Sequence, residues 1–365
     1  MIDNKGTTAE SSRLNRWLQE LVQRRGSDLL LVSGAPASIR REGKVSALEP
    51  GNLTGPEIEA AVVAVLTPHA REQYQAAGIT DSSYRLGSAG RFRVNLHRQK
   101  GAAAAAIRAL PSQVPSLGEL NLPAGLESLA HLHHGLVLVG GPAGSGKSTT
   151  LAALVETINE REARHIVTIE DPVEYEHRHG KSLIEQIEIG VDAPDFPTAL
   201  RSALRQSADV LVLGEMRDPE TMKIAVAAAE TGHLVLSTLH TIDVASTVSR
   251  ISDSFPSERQ NTIRQELAMA ISAVLTQVLV PSLRGGRVPA VELLMVGYGA
   301  RQHIRRNALQ HVHQEITMTK NKGSFTLEDC LAQLVREEKV DREEAMAVAN
   351  HPDELKSLLK GPGQS

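Results

Sequence analysis

Residues 141–148 read Gly141-Pro142-Ala143-Gly144-Ser145-Gly146-Lys147-Ser148, and this stretch decides the fold. It follows a short apolar run at 136–139 and precedes a segment, 149–160, with helical apolar spacing. The stretch fits G-x-x-x-x-G-K-[ST] in the strand, loop and helix context that the pattern requires. Small residues let successive backbone N–H groups turn around phosphate oxygens, and the helix N-terminus adds partial positive charge. It therefore predicts a binding site for a nucleoside triphosphate.

Each part of this loop has an expected role. The side chain of Lys147 is expected to reach the β- and γ-phosphates of ATP, and the hydroxyl of Ser148 to bind Mg²⁺. A glycine turn that happens to precede a lysine and a serine fits the flanking strand and helix less well. The predicted nucleotide-binding residues are Gly141, Pro142, Ala143, Gly144, Ser145, Gly146, Lys147, Ser148 and Thr149.

Length and composition limit the class of protein. A chain of 365 residues exceeds one ordinary core and predicts two domains. Charged residues at 22% and hydrophobic residues at 41% indicate a globular chain rather than a disordered one. The net charge of −4 and the aromatic content of 2% argue against nucleic acid as the main partner, although they leave room for a local basic channel.

The sequence also argues against several kinds of site. Cys330 is the only cysteine, so neither a disulfide framework nor a four-cysteine zinc site is expected. No apolar run approaches the roughly 18 residues of a membrane span. The polar N-terminus lacks the apolar core of a signal peptide. We therefore expect a cytoplasmic protein without a transmembrane segment of its own.

The alternation of apolar and polar residues divides the chain in two. Residues 1–111 show an α+β pattern, with helices predicted at 12–23 and 56–66 and strands at 28–32, 37–40, 91–96 and 102–109. Residues 112–118 have linker composition. From residue 119 onward, helix-length segments separate strands at 136–139, 165–169, 209–213 and 234–238. That alternation predicts a doubly wound parallel sheet, followed by a mostly helical tail over 257–359.

Acidic side chains follow two of these strands. Glu215 comes after strand 209–213, at the position where a phosphate-loop enzyme holds its metal ion or the water on it. Glu170, Asp171 and Glu174 follow strand 165–169, which Pro172 ends. These three carboxylates could cap a helix, or one of them could orient or deprotonate an attacking water. The residues alone leave both interpretations open.

Two histidines bracket strand 234–238. His240 lies at its carboxyl end, where the γ-phosphate of a bound nucleotide is expected. His233 lies at the other end, roughly 23 Å away along an extended chain. The two histidines are therefore not expected to share a metal ion, and a structural role for His233 is equally well supported.

Three arginines of the first domain, Arg91, Arg93 and Arg108, lie on predicted strands. Each is most simply a solvated charge at a sheet edge. In oligomeric phosphate-loop enzymes an arginine from a neighbouring subunit can instead stabilise the transferring phosphoryl group. Both interpretations stay open on spacing alone.

Four linked motifs resemble those of the secretion-ATPase superfamily, the GspE/PilT family, and specifically its PilT/PilU-like type IV pilus retraction ATPases. They are the phosphate loop and residues 168–174 (TIEDPVE), 209–218 (DVLVLGEMRD) and 231–241 (TGHLVLSTLHT), in that family's order and spacing. The first domain is similar through residues 26–29 (GSDL) and 91–95 (RFRVN).

The resemblance implies a RecA-like domain over residues 119–365 and a smaller PAS-like domain over 1–111, with ATP and Mg²⁺ between them. By motif position, Glu174 is the catalytic glutamate, with Glu170 and Asp171 beside it. Glu215 is the carboxylate near Mg²⁺, and His240 is the histidine near the γ-phosphate. Arg91 and Arg108 match basic residues near the nucleotide.

The implied function is an ATP-hydrolysing homohexameric motor that retracts a type IV pilus in twitching motility. The implied partners are an inner-membrane pilus platform protein, to which this cytoplasmic chain would attach, and a paralogous retraction ATPase. Alternatives are a pilus-assembly or type II/IV secretion ATPase, a RecA-like DNA motor, and a non-hydrolysing regulatory subunit. Residues 299–306 (GARQHIRR) depart from the family pattern, because Arg306 replaces an acidic residue.

Overall fold

The computed structural model describes residues 9–360. Within this range the chain forms two compact units. The first contains residues 9–113 and two short segments from later in the chain, 171–176 and 188–194. The second contains residues 114–170, 177–187 and 195–360. No helix in the described range is long and apolar enough to cross a membrane.

The first unit is built on a six-stranded antiparallel sheet with the strand order β3-β2-β1-β6-β5-β4. Its strands are β1 (Asp28–Val32), β2 (Ser38–Arg41), β3 (Lys44–Ala47), β4 (Ile79–Leu86), β5 (Gly90–Gln99) and β6 (Ala102–Ala109). Its helices are α1 (Ala9–Gln23), α2 (Gly55–Val63) and α3 (Pro68–Ala77). Leu14, Trp17, Leu18 and Leu21 of α1 are buried in the core of this unit, whereas Val22 is exposed.

Two details of this unit differ from the sequence-based expectation. Helix α3 is absent from the elements predicted for residues 1–111, and Thr67 is its N-cap, with a hydroxyl that accepts from the Ala70 N–H. The edge strands are β3 and β4, whereas Arg91, Arg93 and Arg108 lie on the interior strands β5 and β6. The interpretation of these arginines as edge charges is therefore wrong.

The second unit is built on a seven-stranded sheet with the order β13-β12-β7-β11-β10-β8-β9. Its strands are β7 (Gly135–Gly140), β8 (His165–Glu170), β9 (Leu183–Glu188), β10 (Val210–Leu213), β11 (Leu234–Leu239), β12 (Ile271–Pro281) and β13 (Arg287–Met295). Strands β12, β7, β11, β10 and β8 pair in parallel. The predicted parallel sheet is confirmed, and the complete burial of β7 and β11 explains the short apolar runs at 136–139 and 234–236.

Helices connect these strands and make up most of the C-terminal third. They are α4 (Lys147–Arg161), α5 (Phe196–Ala203), α6 (Pro219–Glu230), α7 (Val244–Asp253), α8 (Ser257–Ala270), α9 (Tyr298–Arg305), α10 (Val312–Met318), α11 (Leu327–Arg336), α12 (Arg342–Val348) and α13 (Pro352–Lys360). The prediction of a mostly helical tail is wrong over 271–295, where β12 and β13 form an antiparallel hairpin. A buried apolar run of this kind has no periodicity that separates strand from helix.

The register of the parallel strands places their carboxyl ends at one edge of the sheet. Leu239 of β11 lies beside Gly140 of β7, and Leu213 of β10 lies beside both Ile169 of β8 and Ser237 of β11. Residues that directly follow these strands therefore share this edge, as expected for a ligand site of an open parallel sheet.

Candidate nucleotide-binding site

The loop between β7 and α4 has the backbone conformation that its glycines permit. Gly144 and Gly146 have positive φ angles of 75° and 89°. A Cβ at Gly146 would also lie 2.9 Å from the Gln277 side-chain nitrogen. Gly146 is the N-cap of α4 and provides no side-chain cap, so the first N–H groups of this helix face the loop. The loop thus presents backbone donors to an anion.

The side chain of Lys147 lies inside the curve of this loop. It is nearly fully buried, and its Nζ donates to the carbonyl oxygens of Gly141 and Pro142, both at 2.9 Å. Ser148 is exposed at the start of α4. The hydroxyl of Ser145 is buried without a hydrogen-bond partner among the described residues. An ammonium group, an open hydroxyl and an unsatisfied donor together fit a phosphate ligand.

His240 connects the loop lysine to a carboxylate. Its Nδ1 lies 3.3 Å from Lys147 Nζ, and its Nε2 lies 3.4 Å from Glu215 Oε1. Because an ammonium group only donates, Nδ1 is the acceptor in this arrangement and Nε2–H points to the carboxylate. Glu215 also accepts from the side chain of Arg217, at 2.9 Å through Oε2. The structure therefore brings together three groups that follow three different strands, β7, β10 and β11.

Glu170, the last residue of β8, belongs to the same unit. Its Oε1 accepts from the Thr168 hydroxyl at 2.8 Å and from the Gln186 side-chain amide at 3.4 Å. A Cβ at Gly214 would lie 3.5 Å from the Glu170 Cα, so the residue before Glu215 packs directly against this strand end. Glu170 and Glu215 therefore lie at the carboxyl ends of two neighbouring strands, β8 and β10.

Gln277 is a site residue that the sequence interpretation missed. It lies on β12, is buried, and donates from Nε2 to the carbonyl oxygen of Ser145 at 2.6 Å. Its Oε1 accepts from the Thr150 hydroxyl at 2.7 Å. One side chain thus fixes both the loop backbone and the first turn of α4. An amide in a mostly apolar strand, Ile271–Pro281, is the signal that could have identified it.

Two other predicted catalytic residues, Glu174 and Arg91, belong to the first unit. Glu174 lies in the segment 171–176, which Arg91 holds by donating to the Val173 carbonyl oxygen at 2.8 Å. Arg91 also forms an ion pair with Glu188 at 2.9 Å. The same Glu188 oxygen accepts from the Val173 N–H at 3.1 Å. Arg91 and Glu188 therefore both bond to Val173, in the segment that contains Glu174.

Arg108 is in a different environment. Its side chain is 67% exposed, and its Nε donates to Asp28 at 2.9 Å. Arg93 pairs with Asp81 at 3.3 Å on the surface of the same unit. Among the described residues, Arg108 and Arg91 contact different carboxylates, so the first unit does not bring these two predicted residues to one point.

Two further segments were left open by the sequence. A ring nitrogen of His233 lies 3.1 Å from the Ala228 carbonyl oxygen, which is consistent with a structural role before β11. In the segment 299–306, Arg301 donates to the carbonyl oxygens of Ala268 and Met269 at the C-terminus of α8. Burial, with a smaller contribution from Arg305, lowers the pKa of Arg301. Arg301 thus caps α8 and fixes α9 against it.

Comparison with models of known protein families shows to which family the chain belongs. A sequence model of the family described as type II/IV secretion system protein matches residues 91–355, which is most of the chain. The chain belongs to this family.

Two proteins that act in type IV pili or twitching motility are similar to this chain over most of its length. The type IV pilus retraction ATPase PilT of Pseudomonas aeruginosa is 38% identical over 327 residues, which cover 90% of this chain and 95% of the relative. A twitching motility protein of Neisseria gonorrhoeae is 40% identical over 87% of this chain and 85% of its own. The resemblance to pilus retraction ATPases that the four motifs predicted is confirmed.

Solved structures of secretion-family proteins share the fold. A crystal structure of the pilus retraction motor PilT with bound ADP matches with a TM-score of 0.85 at 38% identity, over 94% of this chain and 99% of that one. The ATPase DotB of Legionella pneumophila matches with a TM-score of 0.81 at 25% identity, over 95% and 98%. The predicted α/β fold, a RecA-like ATPase domain with a smaller N-terminal domain, is confirmed.

Proposed function

We propose that this protein is an ATP-hydrolysing motor that powers retraction of a type IV pilus. The contact of His240 with both Lys147 and Glu215, beside the phosphate loop, carries the proposal. Such a cluster joins a phosphate-binding cation, a metal-binding carboxylate and a polar group at one strand edge, as phosphoryl transfer requires. The similarity to PilT and to a twitching motility protein supports the pilus as the machine that the motor drives.

The roles we propose follow from the chemistry of each side chain. Lys147 neutralises phosphate charge, the backbone N–H groups of the loop bind phosphate oxygens, and Ser148 with Glu215 holds Mg²⁺. Bound Mg·ATP supplies the phosphoanhydride bond whose hydrolysis powers the motor. His240 accepts from Lys147 through Nδ1 and orients Glu215 through Nε2–H, while Glu174 takes the proton of the attacking water.

We further propose that the motor works as a homohexamer in the cytoplasm. Its proposed partners are an inner-membrane pilus platform protein and a paralogous ATPase. The relative PilU, 33% identical over 94% of this chain, supports the idea that paralogues occur in such systems. Nucleic acid is not among the proposed partners, because the chain carries a net charge of −4.

The first experiment measures phosphate release by the purified full-length chain with Mg·ATP. We expect steady turnover by the wild type and at least a 100-fold loss in Lys147→Gln, because the loop then lacks its only side-chain cation. Lys223→Gln, which removes an exposed lysine on α6, is the matched control and should keep the wild-type rate. If Lys147→Gln hydrolyses ATP as fast as the control does, the proposed role of the phosphate loop is wrong.

The second experiment tests the biological role in the host. Deletion of the gene should leave abundant surface pili but abolish twitching, and the wild-type chain should restore movement whereas Lys147→Gln should not. Loss of surface pili would point to an assembly motor instead. ATPase activity that rises with added DNA and falls steeply with salt would favour a DNA motor.

A further inference from the structure

Three helices of the C-terminal third each place one possible metal ligand at the same point. The residues are His313 on α10, Glu328 on α11 and Glu354 on α13. One ligand atom from each lies within 4.8 Å of the other two. The closest pair is His313 Nε2 and Glu354 Oε2, at 2.9 Å. None of these residues takes part in the nucleotide-binding site described above.

Glu328 is the member of this cluster that points to a ligand. Its side chain is fully buried, and its Oε1 accepts from the backbone N–H of His351 at 2.7 Å. Its Oε2 is buried and has no hydrogen-bond partner among residues 9–360. A buried carboxylate oxygen without a partner is costly, and a bound cation would remove that cost.

The imidazole of His313 is held in a defined orientation. Its ring packs against the ring of His351, with 3.9 Å between the centroids and 37° between the planes. This contact fixes the imidazole whose Nε2 faces Glu354.

We propose that His313, Glu328 and Glu354 bind one divalent transition-metal ion of the Zn²⁺ class. One imidazole nitrogen and two carboxylate oxygens are a donor set that suits Zn²⁺. Bonds of about 2.1 Å in a tetrahedral arrangement separate neighbouring ligand atoms by about 3.4 Å, which small side-chain shifts would reach from the observed positions. His313 and Glu354 are each about one-third exposed, so the ion has an entry path and a water as its fourth ligand.

The role of this ion is structural. It ties α10, α11 and α13 together, and through the Glu328 bond to His351 it also fixes the turn before α13.

The test uses the nucleotide-free, full-length protein after removal of metal with a chelator. Titration with Zn²⁺ alone, followed by calorimetry, should show one tight site per chain, and Zn²⁺ should raise the melting temperature. His313→Gln and Glu354→Gln should each weaken this site at least about 10-fold and abolish the thermal shift, because each removes one ligand. Both residues are partly exposed, so the variants are expected to fold.

The matched controls are His134→Gln and Asp353→Asn. His134 is exposed in the same unit, and Asp353 is the exposed neighbour of Glu354 on α13. Both controls should bind Zn²⁺ as the wild type does. The proposal is overturned if the wild type has no such site, since Glu328 would then be satisfied by a proton. It is equally overturned if only His240→Gln reduces binding, since the ion would then lie at the nucleotide site.

Discussion

The side chain of Gln277 donates a hydrogen bond to the carbonyl oxygen of Ser145, and this bond joins β12 to the middle of the phosphate loop. The other end of the same amide holds the Thr150 hydroxyl on α4. Because β12 is hydrogen-bonded directly to β7, the strand from which the loop emerges, the sheet itself sets the position of the amide. The shape of the loop thus depends on a residue outside the nucleotide-binding motif.

Replacing Gln277 should weaken nucleotide binding. Gln277→Ala leaves the Ser145 carbonyl and the Thr150 hydroxyl buried without partners, which costs about 1–3 kcal/mol for each group. We expect at least about a 10-fold weaker affinity for a fluorescent ADP analogue. Thr150→Val removes only one of the two bonds and should have a smaller effect. Gln314→Ala, an exposed glutamine on α10, is the control, and equal affinities in all three variants would refute the role of Gln277.

Replacing Glu174 should separate binding from hydrolysis. Glu174→Gln keeps the size of the side chain but cannot accept the proton of water, so turnover should fall about 10²- to 10⁴-fold. The affinity for the ADP analogue should stay within about twofold of the wild type. Glu185→Gln, an exposed glutamate of the second unit, should change neither quantity. Near-normal hydrolysis by Glu174→Gln would exclude Glu174 as the base.

Replacing His240 should reduce turnover more than binding. His240→Asn removes the imidazole that contacts both Lys147 and Glu215, so Glu215 is no longer oriented for Mg²⁺. We expect phosphate release to fall about 10-fold or more, with a higher Mg²⁺ requirement. A change in nucleotide affinity without a change in kcat would instead indicate that His240 only shapes the pocket. His134→Asn provides the control.

Arg91 and Arg108 should contribute very differently to stability. Arg91→Ala leaves Glu188 as a buried carboxylate without its cation, which is expected to cost about 3–5 kcal/mol of unfolding free energy. Arg108→Ala removes an exposed pair and should cost about 0–1 kcal/mol. Trp17, the only tryptophan, is buried in the same unit, so its fluorescence in urea reports this unfolding.

The same unfolding measurement separates two possible roles of Arg91. A large loss of stability in Arg91→Ala that Glu188→Gln partly reverses would establish the positioning role. If Arg91→Ala unfolds at the wild-type urea concentration and yet lacks ATPase activity, Arg91 acts on the nucleotide as the sequence suggested.

Cys330 should be unreactive in the folded protein. Burial raises the pKa of its thiol to about 11, and the Val291 N–H lies 3.4 Å from Sγ. Because the thiolate is the reactive species, the Cys330 thiol should react very slowly with a thiol reagent at pH 8. A disulfide reagent should therefore count close to zero thiols in native protein and one thiol per chain in guanidinium chloride. Rapid labelling of the native chain would show that α11 opens.

The strands that form the site edge were predictable because each is a short apolar run between polar turns. β7, β8, β10 and β11 have this pattern, and the residues after them, among them Glu215 and His240, had to meet at one edge. β12 was not predictable in this way. No glycine or proline separates the last residue of α8, Ala270, from the first residue of β12, Ile271. The apolar run of β12 therefore has the pattern of a continuing helix.

The partners of the site residues were less predictable than their positions. Gln277 and Ser145 are 132 residues apart, and no local pattern links them. Arg91 was singled out for its charge, but its role depends on Glu188, which comes from a segment 97 residues later. Long-range pairs of this kind result from packing, which a single sequence does not encode in its periodicity.

The position of Gln277 has a consequence for the order in which the protein is made. A nascent chain that has left the ribosome only as far as α8 contains the whole nucleotide-binding motif, but it lacks β12 and the amide that holds the loop. Strand β7 is then without one of its two neighbours. Tight binding of nucleotide should therefore appear only after β12 has been translated, so a shorter nascent chain should bind ATP weakly.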